Sequence, residues 1–363
     1  MKITFFINTM SSGGAERQLA HLANFLVENG HIIEIITFGD KPDHYELSPK
    51  IKRTRIAPNK NKIIKLIQIL RTFKCVKCDA IISFDQPNNL YSIPGFLFNK
   101  NKPKFIASER GLTIGRKSNI EKILFRFFYP KVNYIVSNSC SQNQHITCQA
   151  PKLFPKLRVI NNYTDLTTFT PKEFHVSNTK LRLCVFARYQ PQKNCINFAK
   201  AIKILKDRGY EFCIDWYGAK YKSNGMPYQY YQAFEEIIDN LQINDYINLY
   251  DSISNVNDKM KEYDGFCLPS THEGFSNALS EAICCGLPVL AGDVSDNGYM
   301  VHPEENGYLF NPFDINDIAN KIGEFLGLPY EKRITMGSKS RNIAEHLFSK
   351  ERFVNSYLTL LNS

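Results

Sequence analysis

The sequence has no stretch approaching the ~18 consecutive apolar residues that a spanning helix requires. It also lacks the basic segment and short apolar run of a secretory leader, since Met1 begins directly on a strand-like run. The chain is therefore expected to stay in the cytosol. Its ten cysteines show no metal-site spacing. Cys75 and Cys78 form one C-x2-C without a second pair, and Cys284 and Cys285 are adjacent, so reduced thiols are expected, with no metal. No G-x-G-x-x-G follows the first strand, which argues against a dinucleotide-dependent oxidoreductase, although Asp40 does end the second strand.

What is present describes a packed protein. The 363 residues are 43% hydrophobic and 22% charged, enough for two domains and unlike a disordered or fibrous chain. The net charge of +10 is unevenly placed. Residues 1–175 carry 26 Lys and Arg against 12 Asp and Glu, or +14, whereas the remainder carries 19 against 23, or −4. Such asymmetry suggests two domains with different partners. A basic domain suits nucleic acid, an anionic membrane surface or a phosphorylated substrate, and charge alone does not choose.

Lys2 to Asn8 reads as a strand, Ser11 to Gly14 as a loop, and Ala15, Leu19, Leu22, Ala23 and Leu26 recur at helical spacing up to Gly30. His31 to Phe38 is again β-branched, so the chain opens β-loop-α-β and predicts a doubly wound parallel sheet. Strands follow at Ala80 to Phe84, Lys104 to Ser108 and Tyr134 to Ser137. The polar stretch around Pro171 reads as a linker. Beyond it the alternation restarts: strand Leu181 to Phe186, helix Cys195 to Asp207, strand Glu211 to Tyr217, helix Gln229 to Leu241 and strand Tyr246 to Tyr250. The expected division is 1–165, a linker at 166–180, 181–340, and a helix at 341–363 that crosses back onto the first domain. Two such halves are expected to face each other across a cleft at their strand C-terminal edges.

Two helices of the basic half are amphipathic. Ile63, Ile64, Leu66, Ile67, Leu70 and Phe73 form one stripe, flanked by Lys60, Lys62, Lys65, Arg71, Lys74 and Lys77 and preceded by Lys50, Lys52, Arg53 and Arg55. Ile120, Ile123, Leu124, Phe127 and Phe128 form another, among Arg116, Lys117, Lys122, Arg126 and Lys131. Each suits an anionic bilayer, at roughly 1 kcal/mol per basic residue near the surface, or equally a sheet-covering helix with a solvated basic face.

Chemistry concentrates between Asp264 and Asp293. A short strand, Phe266 to Leu268, ends at Pro269. A polar loop then leads into a helix through Ala278, Leu279, Ala282 and Ile283, stopped by Gly286 and Pro288. Backbone N–H groups near Phe275, Ser276 and Asn277 at that helix start suit a phosphate. Glu273 lies at its mouth and Glu281 about one turn inside. Two carboxylates beside an anion site fit a ligand that has hydroxyls as well as phosphates. Arg188 and Lys193 follow the strand Leu181 to Phe186 and supply the positive charge that a diphosphate leaving group needs when no metal is present.

These segments, in order, resemble a family 4 glycosyltransferase of the GT-B fold. The likeness rests on Ser12-Gly13-Gly14-Ala15-Glu16, on Val159 to Asp165 with Phe169 and Pro171, on Arg188 with Lys193-Asn194, and on Pro269-Ser270 with Glu273-Gly274-Phe275-Ser276-Asn277 through Glu281-Ala282 and Gly286-x-Pro288-Val289. The resemblance implies two Rossmann-like domains across a cleft. It implies transfer of a sugar from a nucleotide-sugar co-substrate, with retention of configuration, no metal and no cofactor. It further implies that Glu281 grips the ribose, Glu273 the donor sugar, and Arg188 with Lys193 the diphosphate. Gly274, Phe275, Ser276 and Asn277 would hold phosphate or sugar through their backbone. Gly13 and Gly14, on the first domain, would let their backbone approach the donor phosphate or acceptor closely, and Gly218 would border the nucleoside. UDP is the expected nucleotide from family frequency.

Two positions depart from the pattern. Tyr163 stands where many relatives have Gly, a change expected to alter only a turn. Many also carry a His where this chain reads Ala107-Ser108-Glu109-Arg110-Gly111. There Arg110 would hold an acceptor phosphate or Glu109 orient an acceptor hydroxyl, unless the two form a local ion pair. His272 reads as a loop residue.

The basic half and the amphipathic helices favour an acceptor carried on an anionic lipid, such as a polyprenyl-diphosphate glycan of bacterial polysaccharide synthesis. The chain would then sit peripherally on the cytoplasmic face of the inner membrane. A sugar-nucleotide epimerase or hydrolase of the same fold is the enzyme alternative. A nucleic-acid-binding protein is the other alternative, but it gives no reason for the Glu273 to Pro288 constellation, so no nucleic-acid partner is expected.

Overall fold

Strands buried along their whole length, such as Ala80–Phe84 and Val289–Gly292, require a sheet covered on both faces. The computed structural model describes residues 1–38, 41–57, 61–110, 119–173, 180–222 and 224–363. Asp40, Lys60, Gly111, Arg116, Lys117 and most of the linker's end, 174–179, lie outside the described residues. The chain divides into two units, Met1–Tyr163 with Lys350–Ser363, and Thr164–Ser349.

The first unit opens with β1 (Lys2–Phe6), α1 (Gly14–Glu28) and β2 (Ile32–Phe38). Gly30, at φ 79°, ends α1 in the left-handed region that glycine adopts without strain. Then come β3 (Lys52–Ile56), α2 (Lys62–Cys75), β4 (Ala80–Phe84), α3 (Gln86–Leu97) and β5 (Lys104–Glu109). After α4 (Asn119–Ile123) follow a π-helical turn at Leu124–Phe128, β6 (Tyr134–Ser137), α5 (Cys140–Gln149) and β7 (Leu157–Val159). These strands form one parallel sheet in the order β3-β2-β1-β4-β5-β6-β7. Alternate residues of β1 divide between its faces. Ile3 and Phe5 join the core beneath α1, while Phe6 joins that beneath α2 and α3.

The second unit repeats the plan with β8 (Leu181–Phe186), α6 (Cys195–Asp207), β9 (Phe212–Tyr217), α7 (Gln229–Asn240) and β10 (Ile247–Tyr250). It continues with α8 (Val256–Met260), β11 (Gly265–Leu268), α9 (Asn277–Cys284), β12 (Val289–Gly292) and α10 (Asn297–Met300). β13 (Gly307–Phe310), α11 (Ile315–Leu326) and α12 (Tyr330–Leu347) close it. Its parallel sheet has the order β10-β9-β8-β11-β12-β13. The last helix, α13 (Lys350–Asn362), belongs to the first unit, where Phe353, Val354, Tyr357 and Leu360 join the α1 core.

Three expectations change. The basic run Lys52, Arg53 and Arg55 is not an approach to a surface helix but strand β3, paired with β2 at the sheet edge. Arg53 is fixed there by Asp43 at 2.7 and 2.9 Å and by the Ile35 carbonyl at 2.9 Å. The single helix expected over 341–363 is two helices, α12 ending at Leu347 and α13 beginning at Lys350, and Arg341 of α12 is held in the second unit. Its guanidinium donates to the carbonyls of Phe169 at 2.8 Å and Cys284 at 2.9 Å. The same bonds place residues 164–173 with the second unit rather than in a free linker.

Candidate active site

In the second sheet the chain lays β9 and β10 on one side of β8, then returns to lay β11, β12 and β13 on the other. The loops leaving the neighbouring strands β8 and β11 therefore diverge, opening a crevice at the C-terminal edge of the sheet. Arg188, Lys193 and Glu273 all lie on those two loops. Arg188 is exposed and makes no hydrogen bond or ion pair among the described residues. Lys193 is different: its Nζ is ion-paired with Glu273 Oε1, and the two side chains are only 14% and 9% exposed. The groups expected to hold diphosphate and sugar separately are thus joined to each other across the crevice.

Sequence reasoning missed the residues that hold Glu273. Gln192 Nε2 donates to the His272 carbonyl at 2.7 Å, and the Gln192 carbonyl accepts from the Thr271 N–H at 2.9 Å. Ser295, on the loop after β12, accepts the Glu273 N–H on its Oγ at 3.1 Å. It does so with φ at 53°, unusual for a residue with a Cβ. Asn194 is also left-handed, at φ 57°, and donates from Nδ2 to the Pro312 carbonyl at 2.7 Å, which fixes the turn between Lys193 and α6. Asn tolerates this region better than most side chains, and the Lys193-Asn194 pair was the available signal.

The phosphate-suited helix start is present. Ser276 caps α9, its Oγ accepting from Leu279 N at 3.4 Å. The N–H groups of Gly274, Phe275 and Ser276 donate to nothing among the described residues, and they precede the positive end of the α9 dipole. Phe275 is buried edge-on against Phe348, with ring centroids 5.8 Å apart, and this anchors the loop. Asn277 opens α9, and Glu281 lies one turn along it, 7% exposed. Gly286, at φ 66°, ends the helix. His272 is a loop residue whose Nδ1 lies 3.2 Å from Thr271 Oγ. Gly218 has a packing reason besides any nucleoside: a Cβ there would lie 2.3 Å from the Ala187 carbonyl oxygen, beside Arg188.

The first unit has its own reversal of strand order, between β1 and β4. Gly13 precedes α1 in extended backbone, bracketed by Tyr45, whose OH donates to the Gly13 carbonyl at 2.9 Å, and Gly14 is exposed beside it. Asp85, missed in the sequence, follows β4 in left-handed backbone at φ 73°. Burial pushes its carboxyl up to about 6, with Glu16 adding to the shift and Arg110 opposing it.

Glu109 and Arg110 do not form the ion pair considered above, and Glu109 cannot orient an acceptor hydroxyl, because it is wholly buried. Tyr129 OH and Gln86 Nε2 donate to its two oxygens, the latter at 2.9 Å. Burial, helped by Asp85 and Glu121, pushes its carboxyl up to about 8. Arg110 donates to Ser108 Oγ at 2.8 Å, Asn162 Oδ1 at 2.8 Å and Tyr357 OH at 2.5 Å. It thereby ties β5 to α13, which commits most of the fork expected for an acceptor phosphate. Tyr163 does more than alter a turn. It is buried in the core, where its N–H and carbonyl bond to the Gln18 side chain at 2.8 Å each.

Residues 12–168 match the model described as Glycosyltransferase Family 4, and residues 168–343 match that described as Glycosyl transferases group 1. The chain is 24% identical to the putative colanic acid biosynthesis glycosyltransferase WcaL of Escherichia coli, over 57% of this chain and 51%, about half, of that protein. It is 26% identical to the GalNAc-alpha-(1->4)-GalNAc-alpha-(1->3)-diNAcBac-PP-undecaprenol alpha-1,4-N-acetyl-D-galactosaminyltransferase of Campylobacter jejuni, over 78% of this chain and 77% of that one. Among solved structures, HepE of Anabaena in complex with UDP matches with a TM-score of 0.82 at 16% identity, covering 100% of both chains. At that identity the likeness establishes the fold, two parallel-sheet α/β domains of the GT-B type.

Proposed function

The chain belongs to glycosyltransferase family 4, and from that premise we propose that it moves a sugar from a UDP-sugar to a glycan carried on a polyprenyl diphosphate, with retention of configuration and without a metal or cofactor. The observation that carries this reading is the Lys193–Glu273 pair at the strand-order reversal, beside uncommitted Arg188 and the free N–H groups that precede α9. Binding of a nucleotide-sugar exchanges that pair for two better matches: Lys193 and Arg188 against diphosphate, Glu273 against sugar hydroxyls. Glu281 takes the ribose hydroxyls.

The acceptor hydroxyl then attacks C1 of the donor sugar on the face from which the nucleotide departs. Its oxygen bonds to C1, the bond from C1 to the phosphate oxygen breaks, and the proton passes to that departing oxygen. The protein's task is to stabilise the leaving group and to position the acceptor. Two guanidinium- and ammonium-type charges supply the stabilisation that a divalent cation gives elsewhere.

A lipid-carried acceptor is supported by the C. jejuni relative, whose name specifies PP-undecaprenol, and polysaccharide biosynthesis by the colanic acid in the name of the E. coli one. Such an acceptor places the reaction at the cytoplasmic face of a bacterial inner membrane. The test is a thermal-shift panel of UDP, GDP, ADP and their sugar conjugates on wild type and Glu281→Ala, followed by NMR of the product anomer with and without EDTA. A UDP-specific shift lost in the variant, an α-linked product from an α-linked donor, and activity in EDTA are expected. Release of free sugar with acceptor present, or no shift with any nucleotide, overturns the reading.

A further inference from the structure

The large apolar side chains exposed to solvent are unevenly placed. Among the described residues of the second unit they are tyrosines and a methionine, with Phe313 the exception. In the first unit, aliphatic and phenyl side chains emerge from the helices that cover one face of the sheet. On α2, Ile63 is 69% exposed and Ile64, Leu66 and Ile67 are exposed beside it. The helix is held to the sheet by Ile69 and Phe73 instead, and Lys65 turns inward to lie 3.8 Å from the centroid of the Phe38 ring. Asn61 caps the first turn, its Oδ1 accepting from Ile63 N at 2.9 Å, so these isoleucines stand on an ordered helix end.

Ile63, Ile67, Arg71 and Lys74 fall on one outward line at i, i+4, i+8 and i+11. That line is apolar at its start and cationic at its end. The adjacent helix α3 packs closely along α2, for a Cβ on Gly95 would sit 2.6 Å from the Leu70 carbonyl. At the end of α3, Leu97 and Phe98 are exposed, Phe98 at 71%. On the other side of α3, the wide π-helical turn buries Leu124 and Phe125 while leaving Phe127 outside, beside the exposed Ile123 at the end of α4.

The surface between these apolar groups carries one sign of charge. Residues 61–133 contain 14 Lys and Arg against four carboxylates. Of those four, Glu109 and Glu121 are buried and Asp85 is partly so, leaving Asp79. Arg71, Lys74, Lys77, Lys100, Lys122 and Arg126 are exposed, and none forms an ion pair among the described residues. A nucleic acid would use the cations but not the isoleucines. The boundary between headgroups and acyl chains uses both.

We infer that this layer, the outer face of α2 with the end of α3 and the π-helical turn, is the surface by which the chain sits on an anionic phospholipid bilayer, with Ile63, Ile67, Phe98 and Phe127 entering the acyl boundary and Arg71, Lys74 and Arg126 meeting phosphates. This deepens the lipid-carried acceptor reading, but its test needs no acceptor.

The test is co-sedimentation of the full chain with phosphatidylcholine vesicles, with and without roughly one third phosphatidylglycerol. Wild type is expected to pellet with the anionic vesicles alone. Ile63→Glu with Ile67→Glu, and separately Arg71→Glu with Lys74→Glu, are each expected to weaken partitioning tenfold or more. Ile32→Glu, at an exposed position outside this layer, is the control and leaves it unchanged. A far-UV circular dichroism spectrum and a ligand-free melting transition like those of wild type certify that each variant is folded. If wild type ignores both vesicles, or either double variant pellets like wild type, the inference fails. It fails equally if the face proves to pair two copies, seen as a dimer on gel filtration that Ile63→Glu with Ile67→Glu dissolves without any vesicle binding. Vesicle binding without a UDP shift in wild type would leave the face standing and remove the donor reading.

Discussion

Removing Lys193 and removing Arg188 should have the same effect on turnover and different effects on stability. Arg188 is exposed and uncommitted, so Arg188→Ala costs only the charge it offers to the departing diphosphate. Loss of one preorganised donor of that kind lowers turnover about 100-fold or more, with unfolding free energy within about 0.5 kcal/mol of wild type. Lys193→Ala also strands Glu273. Breaking a buried pair from one side costs about 3–5 kcal/mol, because the remaining carboxylate stays desolvated. The Glu273 side chain is 9% exposed and opens on a crevice that admits water, and Gln192 Nε2 remains 3.5 Å from its other oxygen. Both reduce the penalty, so about 2–3 kcal/mol is expected.

Urea unfolding followed by a fluorescence probe of the second unit, which holds Trp216 in its core, measures this directly. The double variant Lys193→Ala, Glu273→Gln removes the stranded charge and should recover most of the loss while remaining as inactive as Lys193→Ala. A Lys193→Ala protein as stable as wild type would refute the argument that the pair is internally compensated. So would a double variant less stable than the single one.

Ser295→Ala deletes the acceptor for the Glu273 N–H; at about 1–1.5 kcal/mol it should raise the donor KM roughly tenfold while changing kcat less, as steady-state kinetics would show. Gly218→Ala drives a Cβ to 2.3 Å from the Ala187 carbonyl, so a loss of about 2–3 kcal/mol in urea is expected, with reduced turnover because Arg188 follows Ala187 directly. Glu109 has its folded pKa raised to about 8, so between the unfolded value of 4.5 and 8 the folded chain binds more protons than the unfolded one, and this group's contribution to stability falls as pH rises. Glu109→Gln should flatten the decline of first-unit stability measured from pH 5 to pH 8, by up to a few kcal/mol; parallel wild-type and variant curves would refute the assignment.

Much of the fold was legible because parallel strands covered on both faces leave continuous apolar runs. Ala80–Phe84 is legible at its final limits for that reason, and Leu181–Phe186 likewise despite Arg182. β3 was not, because an edge strand reading Lys-Arg-Thr-Arg-Ile satisfies its charges with Asp43 and Glu34, at 2.7 and 2.9 Å, which only the paired structure brings near. The break between α12 and α13 escaped for a similar reason. Helical periodicity runs through it, and the break falls where Phe348 stays in the core of the second unit and Phe353 joins that of the first.

The candidate site was legible unequally in its two units, and the physical reason is the direction of the charges. In the second unit, Arg188, Lys193 and Glu273 sit on loops at the strand-order reversal, so loop position in sequence predicts position in space. Their chemistry is that of ionised groups near solvent, which residue type alone conveys. In the first unit the acids at the equivalent edge turn inward. Glu109 has the same neighbours in sequence whether it faces solvent or Tyr129, and its protonation follows from burial beside Asp85 and Glu121, residues 24 and 12 positions away. Arg110, next to it, bonds to Tyr357, 247 residues later. Its commitment to α13 therefore depends on the chain returning to the first unit at its end. A reading based on local spacing recognises a loop that meets a ligand and misassigns one that meets its own fold.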